Sequence, residues 1–170
     1  MTKLIIDADT GSDDAVAILM AYRNLSEKDI LGITVVSGNV PLEQGLLNTI
    51  FVNELCDVSV PIYRGASKPL ERDYVEVYKT DEANKIALSY ENYSTSAQHV
   101  HGVDGLGDIG IKPEGNNIEK ETAQEFYSMV LDSEDELEIV TLGPLTNIAE
   151  LVRNNQDKLS KIKHCYIMGG

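Results

Sequence analysis

Four aspartates lie within eight residues near the start of the chain. Asp7, Asp9, Asp13 and Asp14 follow one apolar run and precede another, in the stretch IIDADTGSDDA. Like charges only a few ångströms apart raise each other's pKa or require a cation. Carboxylates that converge from a strand end and a helix start suit a hard, oxygen-preferring ion, either Ca²⁺ or Mg²⁺. The spacing therefore predicts a metal site here.

Two simpler interpretations explain the acidic stretch less well. Asp13 and Asp14 could merely complement a helix dipole, worth about 0.3–1 kcal/mol each, but that leaves Asp7 and Asp9 without a role. The sequence offers no Cys or His set of the kind that zinc prefers. The spacing also differs from an EF-hand loop, since no Glu occupies the twelfth position.

Composition narrows the class of protein. The 170 residues are 42% apolar and 25% charged, which is typical of one globular domain. A formal charge of −14 with no basic cluster argues against a nucleic-acid partner. The two cysteines are far apart, the N-terminus does not resemble a signal peptide, and no apolar run reaches the ~20 residues of a membrane span. We expect a cytoplasmic protein without a membrane partner.

Short β-branched runs alternate with longer helical patterns along the chain. Strands are predicted at residues 3–7, 31–37, 60–65, 137–142 and 163–170, and helices at 13–25, 41–56, 121–131 and 144–155. Ser12 or Asp13 is expected near the first helix N-cap, and Pro41 in the first turn of the second helix. The alternation predicts an α/β domain, an open and mostly parallel sheet with helices on both faces.

Two regions depart from this regular pattern. Residues 66–118 form a long polar stretch with weak periodicity, and loops of that length are usually functional or mobile. The chain also stops at a Gly-Gly turn where another strand–helix unit would be expected to begin. We interpret the sequence as a single domain, apparently truncated, with an active-site loop at about 66–118.

Five segments resemble the nucleoside hydrolase family. DADTGSDDA resembles its N-terminal signature D-x-D-P-G-x-D-D-A, with Thr10 in place of the usual Pro. ITVVSGNV, HGVDGLGD, TLGPLTNIAELV and YIMGG resemble four further family segments in the same order and spacing. The resemblance covers the whole chain and implies the Rossmann-like fold of that family, of which this would be the N-terminal half.

The resemblance also implies roles in metal binding and catalysis. Asp9 would bind Ca²⁺ and act as the general base that deprotonates the attacking water. Asp14 would be a second carboxylate ligand, and Leu142 would contribute its backbone carbonyl. Asp7 would support the loop without touching the ion.

Substrate contacts follow from the same resemblance. Asp13 would accept a hydrogen bond from the ribose 2′-hydroxyl, and Asn39 would contact the ribose or orient the water. Met168 would line the ribose pocket, and His101 would approach the nucleobase. The residues that choose between bases are not identified by this sequence.

The activity implied is Ca²⁺-dependent hydrolysis of ribonucleosides to base and ribose, in purine or pyrimidine salvage, by a dimer or tetramer. Two alternatives stay open. The 170 residues could be a truncated Ca²⁺- or ribose-binding domain without activity, because the family's further Asp ligand and leaving-group acid would lie beyond Gly170. A haloacid dehalogenase-like phosphatase shares the Asp7–Asp9 spacing, but Gly11 replaces the Thr or Val of that motif.

Overall fold

The computed structural model describes residues 3–70, 97–134 and 136–169. Within them the strands are β1 (Lys3–Ala8), β2 (Ile30–Val35), β3 (Ile62–Arg64), β4 (Ile118–Thr122), β5 (Leu137–Thr141) and β6 (Ile162–Ile167). The α-helices are α1 (Ser12–Asn24), α2 (Leu42–Cys56), α3 (Gln98–His101), α4 (Ala123–Ser133) and α5 (Thr146–Asn154). Two 3₁₀ turns, Glu27–Asp29 and Leu159–Lys161, precede β2 and β6.

The six strands form one parallel sheet in the order β4-β3-β2-β1-β5-β6. β1 lies inside the sheet, where Ile5 is in register with Gly32 of β2 and with Ile139 of β5. The chain proceeds from β1 toward β4 on one side and then returns to add β5 and β6 on the other. This order puts the reversal point between β1 and β5, where ligands bind in open α/β sheets.

Alternate side chains of the strands pack on opposite faces of the sheet. Ile6 and Ile33 face α1 and α2, in a cluster that includes Ile18 and Leu46. A second cluster, on the other face, joins Ile5, Ile139 and residues of α4 and α5: Phe126, Tyr127, Val130, Leu131 and Leu151. Burial of each such side chain contributes about 1.5–3 kcal/mol. The predicted parallel sheet with helices on both faces is confirmed.

The boundaries show where the sequence patterns were incomplete. α1 begins at Ser12 with Gly11 as its N-cap, and Pro41 is the N-cap of α2 rather than part of its first turn. β4 was not predicted, because its sequence IEKET is mostly polar and it lies at an exposed sheet edge. Thr122 ends β4 and caps α4, so that helix starts later than expected.

The long loop predicted at 66–118 is only partly described. Residues 71–96 lie outside the described residues, while residues 97–117 contain the short helix α3 and several turns. Across residues 3–70, 97–134 and 136–169, no helix is both long and apolar enough to cross a membrane.

Candidate functional site

The acidic stretch lies at the carboxyl edge of the sheet, beside the reversal point. β1 ends at Ala8, and residues 9–11 connect it directly to α1. The amide of Leu142, just after β5, donates to the carbonyl of Asp7 over 2.8 Å, so the two strand ends are joined here. Because the connection from β1 to α1 is short, the acidic side chains stay close to the ends of β1 and β5.

Asp9 occupies a narrow space between backbone segments that follow β2 and β5. Its Oδ2 accepts a 2.6 Å hydrogen bond from the amide of Asn39. A Cβ added to Gly143 would lie 2.5 Å from Oδ1 of Asp9, and a Cβ added to Gly38 would overlap Oδ2. Burial raises the pKa of Asp9 to about 6, although the Asn39 amide favours the ionised form.

Asp14 is buried in the first turn of α1 and turns back toward the loop. Its Oδ2 accepts from the amide of Gly11 at 2.8 Å and from the Nδ2 of Asn39 at 3.1 Å. Oδ1 is buried and has no hydrogen-bond partner. Burial, followed by the charge of Asp9, raises the pKa of Asp14 to about 7. The charge of Asp9 thus disfavours ionisation of Asp14, and a nearby cation would favour it.

Asp7 faces the interior of the sheet and not the acidic pair. Its Oδ2 accepts from Thr34 Oγ1 at 2.6 Å, Tyr127 OH at 3.0 Å and Asn147 Nδ2 at 2.7 Å. Burial raises the pKa of Asp7 to about 6, against these three hydrogen bonds. The carboxylate thereby links β1 to β2, α4 and α5.

Asp13 and His101 are brought together from distant parts of the chain. His101 Nε2 lies 3.8 Å from Oδ1 of Asp13, and its Nδ1 lies 2.7 Å from Oγ of Ser12. Asp13 is exposed, whereas His101 is only 9% exposed. A carboxylate that faces solvent beside the acidic pair can accept a hydrogen bond from a ligand hydroxyl.

Asn48 of α2 joins the loop that carries His101 to the acidic stretch. Nδ2 of Asn48, in α2, donates to the carbonyls of Thr10 and Asp104, each over 2.8 Å. Gly105 packs against Asn48 with a φ of +81°, a conformation that favours glycine. Thr10 is buried and its Oγ1 lies 2.7 Å from that of Thr49.

The remaining two predicted site residues differ in their placement. Leu142 directly precedes Gly143, so its backbone lies beside Asp9. Met168 follows β6, two strands from β1, and its side chain is 57% exposed. Its amide donates to the carbonyl of Thr141 over 2.9 Å, which places it along the same edge of the sheet.

The donor set at this edge fits a hard cation. Asp9 and Asp14 offer carboxylate oxygens, and the buried, unpartnered Oδ1 of Asp14 is an acceptor without a donor. Among the described residues, no group of three or more His, Cys, Asp or Glu side chains is arranged to hold a metal ion. Within the part of the chain that the structure describes, further ligands at this pair would be other oxygens, such as backbone carbonyls.

A sequence model of the inosine-uridine preferring nucleoside hydrolase family matches residues 4–170. The chain belongs to the nucleoside hydrolase family. Uridine nucleosidase 1 of Arabidopsis thaliana is 35% identical over 170 residues, covering 99% of this chain and 45% of that protein. The pyrimidine-specific ribonucleoside hydrolase RihB of Escherichia coli is 31% identical, covering 99% of this chain and 47% of RihB.

Solved nucleoside hydrolases share the fold. A purine-preferring ribonucleoside hydrolase from Gardnerella vaginalis superposes with a TM-score of 0.78 at 29% identity, covering 99% of this chain and 49% of that one. An inosine-guanosine nucleoside hydrolase gives 0.77 at 32% identity, covering 100% and 50%. This nucleoside hydrolase chain spans about half the length of the relatives it matches.

Several residues that shape the site were not predicted as part of it. Gly38 and Gly143 make room for the Asp9 carboxylate, and Ser12 contacts His101. Asn147 donates to Asp7 and accepts from the amide of Ala66 over 2.8 Å. Gly38 lies in ITVVSGNV, and Gly143 and Asn147 lie in TLGPLTNIAELV, two of the segments that resemble the family. Their contacts were not predicted, because they join residues far apart in sequence.

Proposed function

We propose that this nucleoside hydrolase site serves the hydrolysis of the N-glycosidic bond of ribonucleosides, with Ca²⁺ as its metal. The observation that carries the proposal is the buried Asp9–Asp14 pair at the reversal point of the sheet. Both pKa values are raised, and one buried oxygen lacks a partner. Family membership supplies the class of reaction, while the metal and the residue roles are our proposal.

Asp9 is the proposed general base. Its carboxylate is held at Oδ2 by the Asn39 amide, and from that fixed position it would take the proton of the attacking water. General-base catalysis contributes typically about 10²–10⁴-fold. Ca²⁺ held by Asp9, Asp14 and the Leu142 carbonyl would lower the pKa of the water bound to it.

The acidic surroundings would also favour bond cleavage. Departure of the nucleobase develops positive charge on the ribosyl group in the transition state. Fixed negative charge nearby stabilises that transition state. Asp13 would accept from the ribose 2′-hydroxyl, Asn39 would hold the ribose or the water, Met168 would line the sugar pocket and His101 would lie toward the base. Preference for one base is not assigned.

The second candidate is a Ca²⁺- and ribose-binding domain without catalysis. It is favoured by one observation, that the chain spans about half the length of its relatives. Membership of the nucleoside hydrolase family removes the support for the phosphatase alternative. Location in the cytoplasm and assembly into a dimer or tetramer stay predictions.

The test measures Ca²⁺ affinity calorimetrically and base release from uridine and inosine with and without Ca²⁺. Asp14→Asn should weaken Ca²⁺ binding by about 10-fold or more, because one carboxylate ligand is lost. Asp9→Asn should abolish any base release and leave the fold intact. Asp57→Asn, an exposed acid whose φ of 54° also suits Asn, is the matched control.

The outcomes separate the two candidates. Ca²⁺ binding with Ca²⁺-dependent base release supports the enzyme, and Ca²⁺ binding without base release supports the binding domain. A chain that binds no Ca²⁺, or an Asp9→Asn variant with undiminished turnover, would contradict the proposed roles.

A further inference from the structure

Ser12 and His101 join two segments that are 89 residues apart. Ser12 is the first residue of α1 and is exposed, whereas His101 ends α3 and is 9% exposed. Ser12 Oγ lies 2.7 Å from His101 Nδ1, which is hydrogen-bond distance. On its other side, the ring presents Nε2 to Asp13 at 3.8 Å. The imidazole therefore lies between a hydroxyl and a carboxylate.

The carboxylate of Asp13, at 3.8 Å, favours one of the two neutral tautomers of the imidazole without fixing it alone. A neutral imidazole has one N–H donor and one acceptor nitrogen. An unprotonated Nε2 would present a lone pair to the carboxylate of Asp13, which is repulsive, whereas an Nε2–H is attracted to it. The proton on Nε2 leaves Nδ1 as an acceptor, and the hydroxyl of Ser12 is the donor within reach.

We propose that Ser12 is a positioning residue that holds neutral His101 in the Nε2–H tautomer and directs this N–H toward Asp13. The order of donation is Ser12 O–H to His101 Nδ1, and His101 Nε2–H toward Asp13 Oδ1. The imidazole ring is held from both sides. The orientation of the exposed Asp13 carboxylate therefore depends on Ser12, which acts through His101.

This arrangement has a consequence for specificity that rests on the proposed function. With one Asp13 oxygen facing the N–H of His101, the other is left to accept from the 2′-hydroxyl of a ribonucleoside. Loss of the Ser12 hydroxyl would free the ring, and Asp13 would lose its orientation. Discrimination between ribose and 2′-deoxyribose would then fall.

The direct test is NMR of the full chain with ¹⁵N-labelled histidine above pH about 8, where histidine side chains are ordinarily neutral. The wild type should show His101 with a protonated Nε2 and an unprotonated Nδ1. Ser12→Ala should give a mixture of tautomers, and Ser12→Thr should restore the wild-type pattern because it keeps a hydroxyl. Ser128→Ala, in α4 on the opposite face of the sheet, should change nothing.

A protonated Nδ1 in the wild type, or an unchanged pattern in Ser12→Ala, would overturn the proposal. The same samples with Ca²⁺ are then titrated with uridine and 2′-deoxyuridine. Ser12→Ala should weaken uridine binding by about three- to tenfold, the equivalent of one hydrogen bond, and leave 2′-deoxyuridine binding unchanged. Equal weakening of both would refute the link to the 2′-hydroxyl. If neither nucleoside binds the wild type, the proposed function fails, and the tautomer result still decides the role of Ser12.

Discussion

At the scale of single residues, the position of Asp9 depends on two neighbouring glycines, which have no side chain. The carboxylate lies against the backbone of Gly38 and Gly143, where any side chain would collide with its oxygens. Neither glycine has a positive φ, so the requirement is for space and not for an unusual backbone conformation. The two glycines and the Asn39 amide leave the Asp9 carboxylate little freedom to move.

Gly143→Ala is expected to displace the Asp9 carboxylate and weaken Ca²⁺ affinity by about 10- to 100-fold, the usual effect of disturbing residues that orient a metal ligand. Calorimetric titration with Ca²⁺ measures this change. Gly115→Ala is the control, since its Cβ would meet the flexible end of Glu54 at 3.0 Å and would lie at ordinary contact distance, 3.6 Å, from Asn117 and Ile50. Unchanged affinity in Gly143→Ala would show that the Asp9 position does not depend on this contact.

The acidic residues could be predicted from the sequence, but their surroundings could not. Four acids in eight residues after an apolar strand marked the stretch, and the family resemblance selected Asp9 and Asp14 within it. Neither argument pointed to Gly38 or Ser12. Their importance comes from contacts with Asp9 and His101 across the fold, and a local pattern does not contain such contacts.

At the scale of elements, Asn147 joins α5 to two other parts of the sheet edge. It is fully buried, donates to Asp7 in β1 and accepts from the amide of Ala66 after β3. Gly65 lies so close to this side chain that a Cβ there would overlap it. One amide side chain therefore fixes the spacing of three segments below the acidic pair.

Asn147→Ala should lower the free energy of unfolding by about 1–3 kcal/mol, because a buried carboxylate and a partly buried amide each lose a partner. Urea unfolding followed by circular dichroism measures the change. Asn154→Ala, at the exposed end of the same helix, should cost less than about 0.5 kcal/mol. Equal losses in the two variants would contradict the role given to Asn147.

Element prediction succeeded where burial leaves a strong pattern and failed where it does not. β1, β2 and β5 were predicted from their nearly continuous apolar runs. Such runs occur in strands that are covered by helices on both faces of the sheet. β4 was missed because three of its five residues, Glu119, Lys120 and Glu121, are charged and exposed. The pairing of β1 with β5 joins distant segments and follows from topology alone.

At the scale of the whole molecule, the folded chain holds three carboxyl groups whose pKa values are raised by burial. The values for Asp7 and Asp9 are about 6 and that for Asp14 about 7, against an ordinary 3.8. The formal charge of −14 acts in the same direction, since self-repulsion opposes the compact state at neutral pH.

In the absence of divalent cations, stability should therefore fall as pH rises from 5 to 8. Up to about pH 7 the folded chain holds protons that the unfolded chain has released, so the free energy of unfolding decreases with pH and levels off toward pH 8. Asp14→Asn should flatten the profile and raise stability at pH 8 by on the order of 3 kcal/mol. Thermal unfolding in EDTA across this pH range measures both effects.

Asp57→Asn serves again as the control, because it removes one exposed charge and leaves the buried pair intact. It should keep the wild-type slope between pH 5 and pH 8. A melting temperature that rises with pH over this range would contradict the raised pKa values. Recovery of stability at pH 8 on addition of Ca²⁺ would support the proposed metal.

The pairing of β1 with both β2 and β5 has a consequence for synthesis of the chain. β1 is made first, yet Asp7 depends on Tyr127 and Asn147, and its carbonyl bonds to the amide of Leu142. At about 5–20 residues per second, the acidic stretch leaves the ribosome well before those partners. The first part of the site to be translated is thus among the last to be completed.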